Sequence, residues 1–434
     1  MRIQRGGKER ALMVGLAMLL AACNGSRLSP AGDASVAIQD LLPSDLAGGR
    51  SGPLDLSMIG PSMRPDLLAP PGHPGCGNML GLQANAAWPM ADYCPTHRGR
   101  SPYAGPKNPK VRIVFSAIAS FYTGFGPPVI DADGTIYIGS ADNRVYAIDP
   151  KTGALKWYFE SMYERFNNSS SPAIGADGTV YVKGDALYAL DGRTGQERWR
   201  FTEGQGIGTS LSIGADGTIY FGGDGDYLYA VDGASGLLKW KYLAEAQFLQ
   251  SSPAIGDDGT IYIGTGGGVV HAISGADGKK VWSFSLGMNN LVQGGPSIGA
   301  DGTVYVSGDE GTVYALDGAT GVVKWSHPTG GVGSHNVSIA DDGTLYVVSR
   351  ALIALDPATG RELWRVPSAG YRDPVIDAAG NIYTNFDQVE AYDKVGNRLW
   401  SVPDATFTWG VAIGADGTLY AGGGLTGHLY AIGP

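Results

Sequence analysis

A five-residue pattern that returns at a nearly constant interval constrains this chain more than any other feature. Residues 133–137 read Asp-Gly-Thr-Ile-Tyr, close copies begin at residues 177, 216, 258, 301, 342 and 416, and a degenerate copy begins at Ala379. The steps between the eight copies are 44, 39, 42, 43, 41, 37 and 37 residues. A period near forty residues, made of short strands, predicts a propeller in which each repeat is one blade.

Each repeat predicts four antiparallel strands. In residues 172–201, an Asp-Gly turn follows a short first strand, and the glycine supplies the positive φ of a tight hairpin. Residues 179–182 alternate β-branched and aromatic side chains, which is typical of a strand. A third strand at 187–190, a second turn at 191–195 and a fourth strand ending at Phe201 complete the blade. Since no segment shows a sustained helical period, we expect an all-β fold.

The second half of the repeat carries the pattern Ala-x-Asp-x-x-Thr-Gly-x-x-x-Trp, first seen at residues 147–157. Later copies, some with substitutions and one that is a residue short, end at Trp199, Trp240, Trp282, Trp325, Trp364 and Trp400. Over roughly residues 80–434 the chain resembles the PQQ-type quinoprotein propeller family, whose repeats carry this motif. The resemblance specifies a fold and hardly specifies chemistry. A tryptophan ring buries about 150–250 Å², so we expect each ring to lie between neighbouring blades.

Closure of the ring needs a strand from the other end of the chain. The eighth copy, residues 411–434, holds three strands and stops before a fourth. Residues 110–116 precede the first blade and have the outer-strand pattern, with Phe115 near the tryptophan position. We therefore predict an eight-bladed propeller over residues 109–434 that is closed by an N-terminal strand, which removes an open sheet edge.

Residues 1–22 predict a signal peptide, because basic residues precede an apolar run that is too short for a stable span. The run ends in Leu-Ala-Ala-Cys, which resembles a bacterial lipoprotein signal and implies lipidation at Cys23. The alternative is an ordinary signal followed by a buried cysteine. In lipoproteins of this type an Asp after the lipidated cysteine favours retention in the inner membrane, so Asn24 favours the outer membrane.

Residues 23–75 are rich in Ser, Pro, Gly, Ala and Asp, so we expect a disordered tether, with partner binding by its Asp-Leu pairs as an alternative. Residues 76–108 predict an irregular lead-in. An exported chain meets an oxidising compartment, so Cys76 and Cys94 are expected to form a disulfide that stabilises the fold by about 3 kcal/mol. A redox or metal pair is less favoured, because no histidine lies at ligand spacing. The net charge of −10 disfavours nucleic-acid binding.

Candidate site residues lie where the repeat is least regular. Four residues before the last residue of the inner strand, five blades carry small residues, whereas three consecutive blades carry His335, Arg372 and Trp409. One position earlier, Phe125, Gln250 and Gln293 are further candidates. We expect these side chains at the mouth of the axial channel, where they bind a ligand or partner, or else simply fill the channel or meet solvent.

The resemblance to quinoproteins implies PQQ held by a vicinal cysteine pair and a stacked Trp, with Glu, Asn and Asp around calcium. Arg372 and Trp409 could imitate two of these contacts, but the propeller has no adjacent cysteines and no C-x-x-C-H haem motif. Asp131 and Asp133 look calcium-like, yet they match the generic hairpin turn and lack the later ligands. We expect no catalytic residue, no metal and no cofactor.

Two classes of function follow. The first is a non-catalytic, membrane-anchored scaffold that binds a protein partner in the cell envelope, similar to the BamB-type lipoproteins, with a possible role in outer-membrane protein assembly. The second is a PQQ-dependent dehydrogenase with a degenerate site. A third is a propeller that binds a polysaccharide or a peptide. The missing ligand set favours the scaffold.

Overall fold

The computed structural model describes residues 75–117, 124–161, 170–204, 209–223, 225–244, 251–287, 290–292, 294–331, 336–367, 372–385, 387–405, 408–423 and 426–433. Across these ranges the chain forms 32 strands in eight four-stranded antiparallel sheets, one for each blade. The predicted all-β, eight-bladed propeller is confirmed. None of the described segments is a helix long and apolar enough to cross a membrane.

The blades follow the sequence repeat, and in each complete blade the first strand is the innermost. Blades 1 to 4 consist of β2 (Val129–Ile130), β3 (Ile136–Gly139), β4 (Arg144–Ile148), β5 (Leu155–Glu160); β6 (Ala173–Ile174), β7 (Thr179–Lys183), β8 (Leu187–Asp191), β9 (Glu197–Phe201); β10 (Ser212–Ile213), β11 (Thr218–Gly223), β12 (Tyr227–Asp232), β13 (Leu238–Leu243); and β14 (Ala254–Ile255), β15 (Thr260–Gly264), β16 (Val269–Ser274), β17 (Lys280–Ser285). Blades 5 to 7 consist of β18 (Ser297–Ile298), β19 (Thr303–Ser307), β20 (Thr312–Asp317), β21 (Val323–Pro328); β22 (Ser338–Ile339), β23 (Leu345–Val348), β24 (Ala351–Leu355), β25 (Glu362–Pro367); and β26 (Val375–Ile376), β27 (Ile382–Thr384), β28 (Val389–Tyr392), β29 (Arg398–Val402).

Blade 8 is made from both ends of the propeller. Its strands are β30 (Thr408–Ile413), β31 (Leu419–Gly423), β32 (His428–Gly433) and, on the outside, β1 (Lys110–Ser116). Strand β1 pairs with β32 along its length, from Lys110 opposite Gly433 to Ser116 opposite His428. The predicted closure by an N-terminal strand is confirmed.

The residue at the tryptophan position of blade 8 is Arg112, and the assignment of Phe115 to that position was wrong. In complete blades the tryptophan pairs with an alanine of the third strand, as Trp157 pairs with Ala147. The matching alanine of blade 8 is Ala431, and its partner is Arg112. The register shifts between Ile113 and Phe115, so the Phe115 ring packs instead near Tyr146, with 5.2 Å between ring centroids.

Six of the seven motif tryptophans join their blade to the next one. The Trp157 Nε1–H donates to the carbonyl oxygen of Gly192 in blade 2 at 2.8 Å, and the Tyr137 hydroxyl donates to the same oxygen at 3.0 Å. The ring also covers Gly195, where an added Cβ would lie 2.7 Å from ring carbons. The Asp-Gly-Thr-x-Tyr and Thr-Gly-x-x-x-Trp motifs are thus two halves of one joint. Equivalent indole hydrogen bonds to the turn of the next blade are made by Trp199, Trp240, Trp282, Trp325 and Trp364. Trp400 of blade 7 instead donates to the carbonyl of Pro106 in the lead-in.

Burial divides each blade into a core and a rim. The first three strands of blade 2 are buried almost throughout, whereas side chains of its outer strand β9 alternate between exposed and partly buried. This alternation is expected for a strand with one face on the core and one in water. The outer strands therefore supply the rim of the disc.

Candidate functional site

The propeller has two faces of different character. The Asp-Gly turns and the Thr-Gly turns lie on one face, which we call the turn face. The connections between second and third strands, and those from each outer strand to the next inner strand, lie on the opposite loop face. A site at the axis is therefore open or closed according to what covers each end of the channel.

The lead-in closes the channel from the turn face. Residues 75–105, which we call the plug, run from blade to blade across the ends of the inner strands. Six of its carbonyl oxygens accept hydrogen bonds from the last inner-strand N–H of six blades; the donors are Ile130, Ile174, Ile255, Ile298, Ile339 and Ile376, and the acceptors are Trp88, Pro89, Pro95, Thr96, Arg98 and Gly99. Blade 3 is contacted through its Ser212 hydroxyl, 3.2 Å from Nε2 of His97. The plug satisfies inner-edge donors that would otherwise be buried without partners.

The plug is cross-linked and locally strained. The predicted disulfide between Cys76 and Cys94 is present, with 5.5 Å between the Cα atoms. Asp92, Tyr93 and His97 adopt positive φ angles of 53°, 75° and 52°. Residues other than glycine keep such angles only where the surrounding contacts fix them. The hydrogen bonds to the inner strands provide those contacts.

Small polar residues in the aligned column four positions before the end of the inner strand serve the scaffold. The hydroxyl of Ser170 donates to the carbonyl of Lys183 at 3.2 Å, and that of Thr209 donates to Gly222 at 2.9 Å. The Ser251 hydroxyl accepts the Gly264 N–H at 3.0 Å. All three bonds join the inner strand to the second strand of the same blade.

The next column, three positions before the strand end, links the blades around the axis. The N–H of Ser171 donates to the Ser210 hydroxyl at 3.3 Å, and the N–H of Ser210 donates to the Ser252 hydroxyl at 3.2 Å. Farther round, the N–H of Asn336 donates to Oδ1 of Asp373 at 2.7 Å. Sequence reasoning missed this column by one residue. The signal was present, because side chains of a strand alternate between two sides and neighbouring columns must differ in role.

Arg372 and Trp409, two of the predicted site residues, do lie together. The guanidinium carbon of Arg372 is 4.9 Å from the centre of the Trp409 ring, and both side chains are partly exposed. A cation over an indole face at this distance is a favourable cation–π contact. Phe125, by contrast, is fully buried and packs edge-on against Tyr146 at 5.9 Å, so the structure places it in the scaffold. His335, Gln250 and Gln293 lie outside the described residues.

Beneath this pair, the plug contributes Asp92 to a polar cluster at the axis. The Asn336 side-chain amide donates to Oδ2 of Asp92, and the side chain of Asp92 is 17% exposed. Burial, and next the charge of Asp373, hold the pKa of Asp92 well above its usual range, although the Asn336 bond acts the other way. Burial also lowers the pKa of His97, whose Nδ1 is 3.9 Å from Asp92 Oδ2, to about 4. A neutral His97 therefore places no positive charge beside Asp92.

The residues present do not fit PQQ with calcium. The chain has three cysteines, none adjacent to another, and two of them are joined in the plug. The carbonyl oxygen of the Asn336 amide already accepts the Gly295 N–H. Within the described ranges, no group of three or more His, Cys, Asp or Glu side chains is arranged to hold a metal ion.

The calcium-like pair in the first turn also has a structural role. Oδ1 of Asp131 accepts the N–H groups of Asp133 and Thr135, and Oδ2 accepts the Tyr137 hydroxyl at 2.9 Å. Burial, followed by the hydrogen bond with Asp133, raises the pKa of Asp131 to about 6. Asp131 therefore fixes the turn and the junction tyrosine.

Blades of this construction, joined by tryptophans that dock on the following turn, define a PQQ-type β-propeller. A family model described as "Outer membrane protein assembly factor BamB" matches residues 119–200 and 141–366, together more than half of the chain. The chain belongs to this family.

Individual relatives are similar over smaller shares or at low identity. The chain is 39% identical over 67 residues to an "Outer membrane protein assembly factor BamB" of Nitrosomonas eutropha, a match that covers 14% of the chain and 16% of that relative. The crystal structure of BamB from Moraxella catarrhalis matches with a TM-score of 0.57 and 19% identity, covering 75% of this chain and 98% of that one. The quinohemoprotein alcohol dehydrogenase of Comamonas testosteroni matches with a TM-score of 0.66 and 15% identity, covering 81% and 80%. At these identities each of the two structures is similar to this chain in fold alone.

Proposed function

We propose that the chain is a non-catalytic scaffold of the bacterial cell envelope that binds a protein partner at the loop-face mouth of its channel and takes part in outer-membrane protein assembly. The observation that carries the proposal is the Arg372–Trp409 pair above a plugged channel, in a chain of the BamB family. The plug lies at the turn-face end of the axis, and on the loop face the partly exposed cation and indole are the groups that would engage a peptide segment.

The chemistry of the pair suits a polypeptide. The guanidinium can bind a carboxylate or several backbone carbonyls through its planar set of donors. The indole offers a large apolar surface with one polar edge, as expected of an anchoring residue at a protein interface. One oxygen of Asp373 accepts the Asn336 N–H, which holds this carboxylate against the neighbouring blade.

Anchoring and location form the second element of the proposal. Residues 1–22 act as a signal peptide, Cys23 carries the lipid, and residues 23–75 tether the propeller to the outer membrane. Labelling cells with a clickable fatty acid tests this element. We expect the wild-type chain to incorporate the label and Cys23→Ser to lose it; continued labelling of the variant would show that the lipid is elsewhere.

Partner capture tests the channel mouth. The double variant Arg372→Ala/Trp409→Ala should fold with nearly the wild-type melting temperature and should lose the proteins that the wild type retrieves from outer-membrane extracts after cross-linking. A matched control is Arg144→Ala/Tyr158→Ala, which removes a similar cation–π pair, at 5.3 Å, from the third and outer strands of blade 1. The control should retrieve the wild-type set. If the mouth variant retrieves that set as well, the partner binds elsewhere.

The shared fold with a quinohemoprotein alcohol dehydrogenase makes a PQQ-dependent dehydrogenase the second candidate. Titration of the purified chain with PQQ and calcium, followed by a dye-linked assay of alcohol oxidation, separates the two. The scaffold predicts no saturable binding and no dye reduction. Stoichiometric binding with turnover would replace the scaffold by an enzyme.

A further inference from the structure

Exposed apolar side chains are distributed unevenly over the propeller. Of the twelve large apolar side chains that the described part of the chain exposes, nine lie at the turn face. One of them, Leu80, belongs to the plug. The other eight, which we call the apolar rim, lie in the Thr-Gly turns or in the first two residues of the outer strands; they are Leu237, Leu238, Val281, Val322, Val323, Leu363, Val395 and Leu399.

The apolar rim runs through five consecutive blades, from blade 3 to blade 7. Its most exposed members are Leu237, Val322 and Val395, at 69%, 64% and 61%. The positions in blade 2 that match Leu237 and Leu238 are Gln196 and Glu197, so the repeat itself does not require apolar residues there.

The geometry of the apolar rim fits a flat surface. The apolar rim lies at the turn-face ends of the outer strands of five neighbouring blades, so a single partner that touches all five has to be broad and nearly flat. A peptide or a small domain would engage one or two blades. A bilayer surface can meet all five.

The charges beside the apolar rim agree with this occupant. Lys279, Lys280, Arg361 and Lys394 are exposed in the turns of blades 4, 6 and 7. In the turn of blade 4 the ammonium of Lys279 is paired with Asp277, and in that of blade 6 Asp356 accepts the N–H and hydroxyl of Thr359, so the positive charge beside the apolar rim comes from Lys280, Arg361 and Lys394. Aliphatic side chains interleaved with lysine and arginine are typical of a protein surface that rests at the headgroup level.

The chain enters the propeller on this same face. The carbonyl of Gly75, the first described residue, accepts the Thr96 hydroxyl at 2.9 Å, and Gly77 lies beside Ile255 and Asp257 at the turn-face end of blade 4. Only 51 residues separate Cys23 from Gly75, so a lipid on Cys23 would hold the turn face within reach of the bilayer.

We propose that the apolar rim is a membrane-contact surface, which rests the turn face on phospholipid and directs the Arg372–Trp409 mouth away from it. This inference uses the proposed lipid anchor for the position of the bilayer, but contact by the apolar rim itself does not require the anchor.

Vesicle flotation of the mature chain with Cys23→Ser, which carries no lipid, tests the apolar rim directly. The vesicles contain phosphatidylethanolamine and phosphatidylglycerol in a 3:1 ratio. We expect the chain to float with these vesicles. The partition coefficient of the triple variant Leu237→Ser/Val322→Ser/Val395→Ser should be lower by a factor of about ten or more, because the variant buries less apolar area in the bilayer. The matched control, Ile113→Ser/Tyr158→Ser/Leu243→Ser, removes exposed apolar groups away from the turn face and should change partitioning less than about twofold.

Each contrary outcome has a distinct meaning. Failure of the unlipidated chain to float, or equal losses in the two triple variants, overturns the membrane contact. If sedimentation shows a dimer that the rim substitutions dissociate, and flotation is unchanged, the apolar rim is instead a contact between two copies of the chain. Fatty-acid labelling of Cys23 and capture at the channel mouth do not involve the rim residues, so failure of the proposed function would be seen separately.

Discussion

At six blade junctions a tryptophan docks on the turn of the next blade, and at the seventh Trp400 donates to Pro106 of the lead-in. The eighth junction, between blade 8 and blade 1, is made by an arginine. In blade 1 the Trp157 ring covers Gly195 and its Nε1–H donates to Gly192 of blade 2. At the eighth junction the Arg112 guanidinium donates to the equivalent carbonyl, that of Pro150, at 3.3 Å. The carbonyl of Val114, not a ring, lies over Gly153, 2.2 Å from where a Cβ would be.

The comparison separates two requirements of a junction. The turn of the following blade needs a donor for its carbonyl, and its glycine needs a close cover. One indole meets both requirements. In blade 8 a side chain supplies the donor and the backbone of β1 supplies the cover, so the exposed Arg112 should matter less than any tryptophan.

Removing a junction tryptophan should have the largest effect. Trp199→Ala deletes a ring that packs on Tyr181 at 5.9 Å and on the next blade, so we expect a loss of about 3–5 kcal/mol in the free energy of unfolding. Denaturant melts of wild type and variant measure it. Trp409→Ala, which lies outside the junctions, is the control. A loss well under 1 kcal/mol for Trp199→Ala would contradict the joint.

The glycine under the ring comes second. Gly195 has a φ of +72°, so Gly195→Ala combines backbone strain with the contact to the Trp157 ring, and roughly 2–4 kcal/mol should be lost. Gly217→Ala is matched, because its φ is +78° and an added Cβ meets nothing within 4 Å. The difference between the two melts isolates the ring contact. Equal losses would mean that only strain matters.

The arginine junction should be weaker. Arg112→Ala removes one hydrogen bond at an exposed position, and we expect a loss of about 1 kcal/mol. Lys110→Ala, at another exposed position of β1, is the control and should melt like the wild type. We also expect no gain from Arg112→Trp, since the Val114 carbonyl already covers Gly153. Stabilisation by that tryptophan would show that the eighth junction is merely a weak copy of the others.

The tyrosine of the joint should contribute least. Its hydroxyl donates to the Gly233 carbonyl at 3.0 Å, and Trp199 Nε1–H donates to the same oxygen. Tyr181→Phe should therefore cost about 0.5–1 kcal/mol, because the acceptor keeps a partner. The same substitution made in a Trp199→Phe background should cost more. Additive effects in this double-mutant cycle would argue against a shared acceptor.

Sequence reasoning was strongest where the chain repeats itself. The spacing of the Asp-Gly turns predicted the number of blades, and the missing last strand predicted that residues 110–116 would complete blade 8. The role of Phe115 was wrong because β1 joins blade 8 from the other end of the chain, so no connecting turn fixes its register against β32. Arg112 lies opposite Ala431, and Phe115 lies opposite Leu429.

The site was less accessible from sequence because it depends on a segment with no repeat. Residues 75–105 carry no periodic pattern, so nothing in them indicated that their carbonyls would bond to six inner strands or that Asp92 would lie beside Asn336 and Asp373. The column with Arg372 and Trp409 stood out because these residues depart from small neighbours. In the column one position earlier, Phe125 is also large, but for a different reason, because its ring packs against Phe115 and Tyr146.

The placement of β1 has a consequence for the order of assembly. This strand is the first of the propeller to leave the ribosome, yet its hydrogen-bond partner β32 is the last. At roughly 5–20 residues per second, synthesis alone separates the two by tens of seconds. Contacts this distant along the chain also slow refolding. An unsealed ring with a free N-terminal strand and an exposed β32 edge is therefore the species expected before closure.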